Sequence, residues 1–266
     1  MEDCVSTLMF DLGSSGVQTD DGTGDPIALT AYFPEASDQD RVVAGLKDLL
    51  GPTANLTFDA VADEDWTTKW REHFEPIYPT DKIVVHPPWR PVAAPEGGFA
   101  LAIEPKTAFG TGSHPTTKMA MLALEQTVRP EDRVLDVGTG SGILSIAAVK
   151  LGASDVLAVD TDPLATENVD ENVALNGVEG IRVETRGVGL SDTGFHVVVA
   201  NIIRSVLTPL LPALANAALP GGHLIFGGLL DREEIQFRES VEGAGLRVEE
   251  VTREAEWIGM IARAST

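Results

Sequence analysis

Between Val134 and Ala148 the chain reads Val-Leu-Asp-Val-Gly-Thr-Gly-Ser-Gly-Ile-Leu-Ser-Ile-Ala-Ala. An apolar strand runs through Gly138, Gly140 and Gly142 straight into an apolar helix. Glycine is the residue that allows a sharp backbone turn at that junction and a close approach where a Cβ would clash. The helix that follows presents its first N–H groups, which have no partners inside the helix, to polar atoms of a ligand. A strand, glycine loop and helix in immediate succession belong to an α/β architecture.

The rest of the chain supports that class. From Lys82 onward strand-like segments alternate with helical ones. Strands are expected at Ile83–His86, Phe99–Ile103, Val134–Val137, Val156–Val159, Ile181–Thr185, Val197–Ala200, His223–Gly227 and Arg247–Thr252. Helices are expected at Thr116–Gln126, Ile143–Leu151, Pro163–Asn176, Val206–Ala218 and Asp231–Ala244. Such alternation implies a doubly wound, Rossmann-like parallel sheet. Residues 1–61 read instead as a small α+β unit, in the order helix (Val5 to Leu12), strand (Gly16 to Thr19), strand (Ile27 to Phe33), helix (Asp40 to Leu50) and strand (Asn55 to Val61). Residues 62–80 read as a helical linker with Trp66, Trp70 and Phe74 spaced four apart on one packing face. Residues 81–266 form the larger α/β domain.

Charge narrows the partners. The chain carries 41 acidic against 19 basic residues, a net of −22, and residues 1–60 alone hold 11 acids and two bases. Direct nucleic-acid binding is not expected, because phosphate contacts need clustered Lys and Arg. The acidity suits either attraction of a basic protein or adaptation to concentrated salt; the spread of acids along the whole chain favours salt adaptation. The most apolar stretch, Val197 to Leu219, is interrupted by Asn201, Arg204, Pro209 and Pro212, so a membrane span is not expected. Cys4 is the sole cysteine, which excludes an internal disulfide and suits a reducing compartment. A cytoplasmic, monomeric protein without a bound metal is expected.

The ligand class turns on two details. A dinucleotide fingerprint carries Gly or Ala three residues beyond its second glycine; here that position is Ile143. A nicotinamide-dependent oxidoreductase is therefore disfavoured. The next strand, Val156-Leu-Ala-Val-Asp160, ends in a carboxylate 22 residues after Gly138, placed to accept from both hydroxyls of a ribose. Asp162-Pro163 starts the following helix as cap and first-turn proline, and Asn176-Gly177 stops it. That leaves Asp160 for the ligand.

The Gly-x-Gly-x-Gly spacing after Asp136 resembles the first motif of class I methyltransferases. Upstream, Ala108-Phe-Gly-Thr-Gly-Ser-His-Pro-Thr-Thr117 enters a helix through Pro115, and this string resembles the ribosomal protein L11 methyltransferase family. Trp70, Phe74 and Pro76, the pair Pro88-Trp89, Val198-Val-Ala-Asn-Ile202, Gly221-Gly222 and Gly227-Gly-Leu229 match further segments of that family. The likeness has motif support over roughly residues 62 to 260. Ser113 stands where the family has Thr, and His196 where it commonly has Asp. Isolated beside a strand, His196 reads as a surface or packing residue.

The resemblance implies a class I fold with a small ferredoxin-like N-terminal domain, S-adenosyl-L-methionine as cofactor, and a basic ribosomal protein as substrate, held by the acidic N-terminal unit. It implies cofactor contacts at Thr117, Gly138, Asp160 and Asn201, to which the glycine loop adds Gly140 and Gly142. Asn201, at the carboxyl end of its strand, would face the methyl group and the acceptor. Ile202-Ile203-Arg204 follows it where a Pro-Pro-Tyr type of motif would signal a planar amide or base nitrogen, so an aliphatic amine, of a lysine or of the N-terminus, is the expected acceptor. His114 is a candidate proton relay, with organiser of its loop as the plainer role. Lysines of a different basic protein are the alternative acceptors; a catalytically silent binding module is opposed by intact Thr117, Asp160 and Asn201.

Overall fold

The central strands are apolar at successive positions, and a strand of that kind needs cover on both faces. In the computed structural model, which describes residues 9, 12, 14, 16–20, 28–33, 39–51, 56–57, 74–105, 110 and 112–265, that cover is present. Val134, Val156, Val197 and Val199 point into one buried layer, while Leu135, Leu157, Val198 and Ala200 point into a second. The period of two along each strand thus separates two cores, one on each side of a single sheet.

The chain divides into two units, Met1–Trp66 and Thr67–Thr266. In the first, β1 (Gly16–Asp20) and β2 (Ala28–Tyr32) pair antiparallel, and α1 spans Gln39–Leu50. Met9, Val42 and Leu46 are buried together there. Leu56 and Thr57 are not in a strand; the remainder of the strand expected at 55–61 and nearly all of the helix expected at 5–12 lie outside the described residues. So do Trp66 and Trp70 of the expected linker helix. Phe74 is not helical, and its ring meets Trp89 edge-on.

The second unit contains β3 (Ile83–His86), β4 (Phe99–Ala102), α2 (Pro115–Thr127), β5 (Arg133–Val137), α3 (Ile143–Lys150), β6 (Asp155–Asp160), α4 (Pro163–Asn176), β7 (Ile181–Thr185), β8 (Phe195–Asn201), α5 (Arg204–Ala217), β9 (Ala218–Leu230), α6 (Glu234–Gly243), β10 (Leu246–Glu254) and β11 (Trp257–Ala264). Its seven-stranded sheet has the order β10-β11-β9-β8-β5-β6-β7. β5 through β9 run parallel, and β11 lies antiparallel between β9 and β10.

Three expectations need correction. The sheet is mixed, not wholly parallel, because β11 was not anticipated: β10 folds back on it through Ala255-Glu256, with Ala255 in the left-handed region (φ +53°) where glycine or asparagine is the usual signal. β3 and β4 pair as a parallel ribbon apart from the main sheet, and Val85 of β3 makes an isolated antiparallel bridge to Ile77. No helix connects them, so they lack the crossover unit that adds parallel strands to a sheet. The segment expected as one helix at 231–244 opens with a 3₁₀ turn at Asp231–Glu233 before α6 begins.

Side-chain amides on α4 hold β4 in place. Asn176 donates to Ala102 O (2.7 Å) and accepts from Ala102 N (3.0 Å), as a neighbouring strand would. One turn earlier, Asn172 accepts from Glu104 N and donates to Ser141 O in the glycine loop. No helix among the described residues is long and apolar enough to cross a membrane.

Candidate active site

Residues at or just past the carboxyl ends of β5, β6, β7 and β8 face a common opening, bordered by the loop that follows β5. Gly138, Gly140 and Gly142 all adopt positive φ, +71°, +55° and +79°, which a side chain would resist. Two reasons for glycine are expected here, a sharp backbone turn and the close approach of a ligand. Two of the three positions answer first to protein neighbours: a Cβ on Gly138 would lie 2.5 Å from Ile202 Cγ2, and one on Gly142 2.7 Å from Val169 Cγ1. The glycines let the loop sit tightly against β8's exit and α4.

Asp136 fixes the loop from beneath. Its Oδ2 accepts from Thr139 Oγ1 (2.8 Å) and Ser145 Oγ (2.7 Å), while Oδ1 is buried without a partner among the described residues. Desolvation outweighs the two hydroxyls and pushes the carboxyl up from 3.8 to about 6. A raised folded-state value means stability that is present below the ordinary carboxylate range and lost as pH rises through about 6. Asp136→Asn removes that titration. The variant should therefore gain on the wild type by about 2 kcal/mol between roughly pH 4.5 and 7.5. Denaturant melts of both proteins across that range check this; a difference that stays flat contradicts it.

Asp160, at the end of β6, accepts from Gly140 N through Oδ2 and from Asp162 N through Oδ1, each at 3.0 Å. Each carboxylate oxygen can take a second donor, so capacity remains for two hydroxyls. The helix after it starts as expected: Asp162 caps α4 through Leu164 N, Pro163 follows, and Gly177 ends it at φ +57°.

A cavity of about 490 Å³ opens over these strand ends, within the range usual for small-molecule sites. Of the residues singled out from sequence, His114, Gly138, Gly140, Asp160 and Asn201 line it; Thr117 and Gly142 do not. Thr117 is fully buried behind the wall, where Asn201 Nδ2 donates to its Oγ1 at 3.4 Å. Asn201 Oδ1 is buried and has no hydrogen-bond partner among the described residues. His114 caps α2: the Thr116 amide donates to its Nδ1 (3.3 Å), and Thr116 Oγ1 lies 2.8 Å from the same atom. That geometry makes it an organiser of the helix start. His196 sits away from the cavity, half-exposed, accepting from Arg133 N.

The structure adds wall residues that sequence reasoning missed. Trp257, first residue of β11, packs edge-on against His114 with ring centres 4.7 Å apart. Its only sequence signal was an aromatic at the head of an unrecognised strand. Val188, Val206 and Leu210 supply apolar lining. Arg186 is fixed by a two-pronged pair to Asp192 (2.7 and 2.8 Å) and by Glu184 (2.6 Å). Its guanidinium holds the Asp192 carboxyl below the usual range.

Residues 6–265 match the family model for ribosomal protein L11 methyltransferase. The chain belongs to that family. It is similar to the ribosomal protein L11 methyltransferase of Geobacter sulfurreducens, 39% identical over 98% of this chain and 93% of the relative. It is 33% identical to that of Bacillus cereus, over 98% and 95%. A solved structure of ribosomal protein L11 methylase from Lactobacillus delbrueckii subsp. bulgaricus superposes with TM-score 0.66 at 32% identity, covering 73% of this chain and all of the other. As a ribosomal protein L11 methyltransferase family member, the chain is an S-adenosylmethionine-dependent methyltransferase. The cavity residues fit that cofactor: Asp160 has acceptor capacity for a ribose, and no pyrophosphate cradle is required of the loop.

Proposed function

We propose that the protein methylates ribosomal protein L11 on aliphatic amines, namely lysine ε-amines, the N-terminal α-amine, or both. The observation that carries the amine assignment is the Asn201 side chain on the cavity wall, whose buried Oδ1 lacks a hydrogen-bond partner among the described residues. An unpaired buried acceptor costs about 1–3 kcal/mol. An amine N–H delivered through the cavity relieves that cost, and it does so without bringing a second charge into the site.

When bound, S-adenosylmethionine supplies a methyl carbon on a sulfonium, open to in-line displacement. Asp160 accepts from the ribose hydroxyls, and Gly138 and Gly140 carry the backbone that borders the cofactor. Thr117, though behind the wall, holds the Asn201 amide in place, and Gly142 starts α3. The acceptor must be neutral: at pH 7 a lysine near pKa 10.4 costs about 4–5 kcal/mol to deprotonate, and an α-amine near 7.7 about 1 kcal/mol. The apolar wall of Val188, Val206, Leu210 and Trp257 lowers that cost by disfavouring the ammonium form. His114 fixes the α2 start and the Trp257 ring in this wall.

Residues 1–61 serve substrate recognition, 62–80 link, and 81–266 catalyse. The 11 acids in the first 60 residues give the small unit the charge to attract a basic ribosomal protein. The test is transfer of a labelled methyl group to L11 with free amines, set against L11 whose amines have been acetylated. Free L11 should be labelled and acetylated L11 should not.

A further inference from the structure

We infer that Gly227 is a positioning residue for methyl transfer, acting through Asn201. The inference rests on the reading of Asn201 given above. β8 and β9 are parallel neighbours, and Asn201, the last residue of β8, is the register partner of Gly227 within β9. A Cβ built on Gly227 would lie 2.4 Å from Asn201 Oδ1 and 3.0 Å from Cγ, but 3.4 Å from Cβ. The first distance is shorter than real Cβ contacts, the second is tight enough to ask a few tenths of an ångström of the amide carbon, and the last is ordinary. So the collision is with the amide group alone.

Gly227 has no backbone reason to be glycine. It lies within β9, and it is not among the glycines with positive φ. Glycine inside a strand weakens the strand and marks a close approach of other atoms. Gly228 is the contrast: its φ is +73°, and a Cβ there would meet Ile202 backbone atoms at 2.6 Å. Gly228 is required by the chain path, whereas Gly227 is required by the Asn201 side chain.

The amide cannot yield without consequence. Asn201 is buried, and Nδ2 is engaged with Thr117 Oγ1 on α2. A methyl group at 227 turns the amide off β9, breaks or bends the contact to Thr117, and carries Oδ1 away from its place. A misplacement of about 1 Å in a positioning group costs on the order of 10²-fold in rate.

A double-mutant cycle tests this. Methyl transfer to L11, S-adenosylmethionine affinity and melting temperature are measured for Gly227→Ala, Asn201→Ala and the double variant. The expected result is a kcat loss of about 10²-fold for Gly227→Ala, with cofactor affinity changed by less than about fivefold. In the Asn201→Ala background, Gly227→Ala should cost nothing further, because only the Cβ contact remains. If Gly227→Ala alone fails to fold and the double variant folds, the amide collision is established. Gly227→Ala retaining wild-type kcat overturns the inference, as do losses that multiply in the double variant. Asn201→Ala retaining wild-type kcat overturns the reading of Asn201 itself, and the inference with it.

Discussion

Replacing Asn201 by alanine should lower kcat for methyl transfer to L11 by roughly 10²–10³-fold, while the Kd for S-adenosylmethionine stays within about tenfold. The magnitude follows from what is removed. Among the described residues, the amide is the one polar side chain on the cavity wall whose buried oxygen is left without a partner, and groups that place a reacting atom contribute a few kcal/mol to the barrier. The backbone carbonyl of residue 201 remains, so some acceptor function survives and the loss is not total. Cofactor affinity is spared because Asp160 and the glycine loop are untouched. Loss in kcat with little change in cofactor Kd is the signature of an interaction made at the reacting centre. A tenfold or smaller fall in kcat contradicts it.

Asp160→Ala should act on the opposite quantity, weakening S-adenosylmethionine binding by about 10³-fold. Two hydroxyl donors to a carboxylate are worth about 1.5–3 kcal/mol each, and about 4 kcal/mol together corresponds to that factor. The alanine also releases the Gly140 and Asp162 amides, which Asp160 now accepts at 3.0 Å each, so the loop loses a brace as well as the ligand its partner. Asp160→Asn keeps one acceptor oxygen and should fall between, with a loss of about 30-fold. Isothermal titration of the three proteins decides it. A Kd for Asp160→Ala within fivefold of wild type would place the ribose elsewhere.

What the sequence made legible was the part of the fold governed by local rules. Apolar strands covered on both faces, Asp162-Pro163 as a helix start and Asn176-Gly177 as its end all require only neighbouring residues, and each stands in the structure. Asp160 and Asn201 were locatable because each ends a recognisable strand. What escaped depends on distant neighbours. β11 is joined by Ala255-Glu256, a turn without glycine or asparagine, so Trp257 could not be assigned to the cavity wall. The hydrogen bonds of Asn172 and Asn176 reach across 68 and 74 residues to Glu104 and Ala102. Nothing in the periodicity of α4 announces that. Gly138 and Gly142 adopt the positive φ that a sharp turn demands, and the protein atoms nearest an added side chain belong to Ile202 and Val169, which lie far along the sequence. Thr117 is buried against Asn201, a contact between residues 84 apart that no local pattern announces.

The most direct test of the central claim is transfer of a labelled methyl group from S-adenosylmethionine to purified L11, with the modified atoms mapped by peptide mass spectrometry. Untreated and amine-acetylated L11 are run side by side. Label confined to lysine ε-nitrogens and the N-terminal nitrogen of the untreated protein, and absent from the acetylated one, is the result this account predicts. Label on carboxylate, amide or imidazole atoms, or equal labelling of acetylated L11, would contradict it.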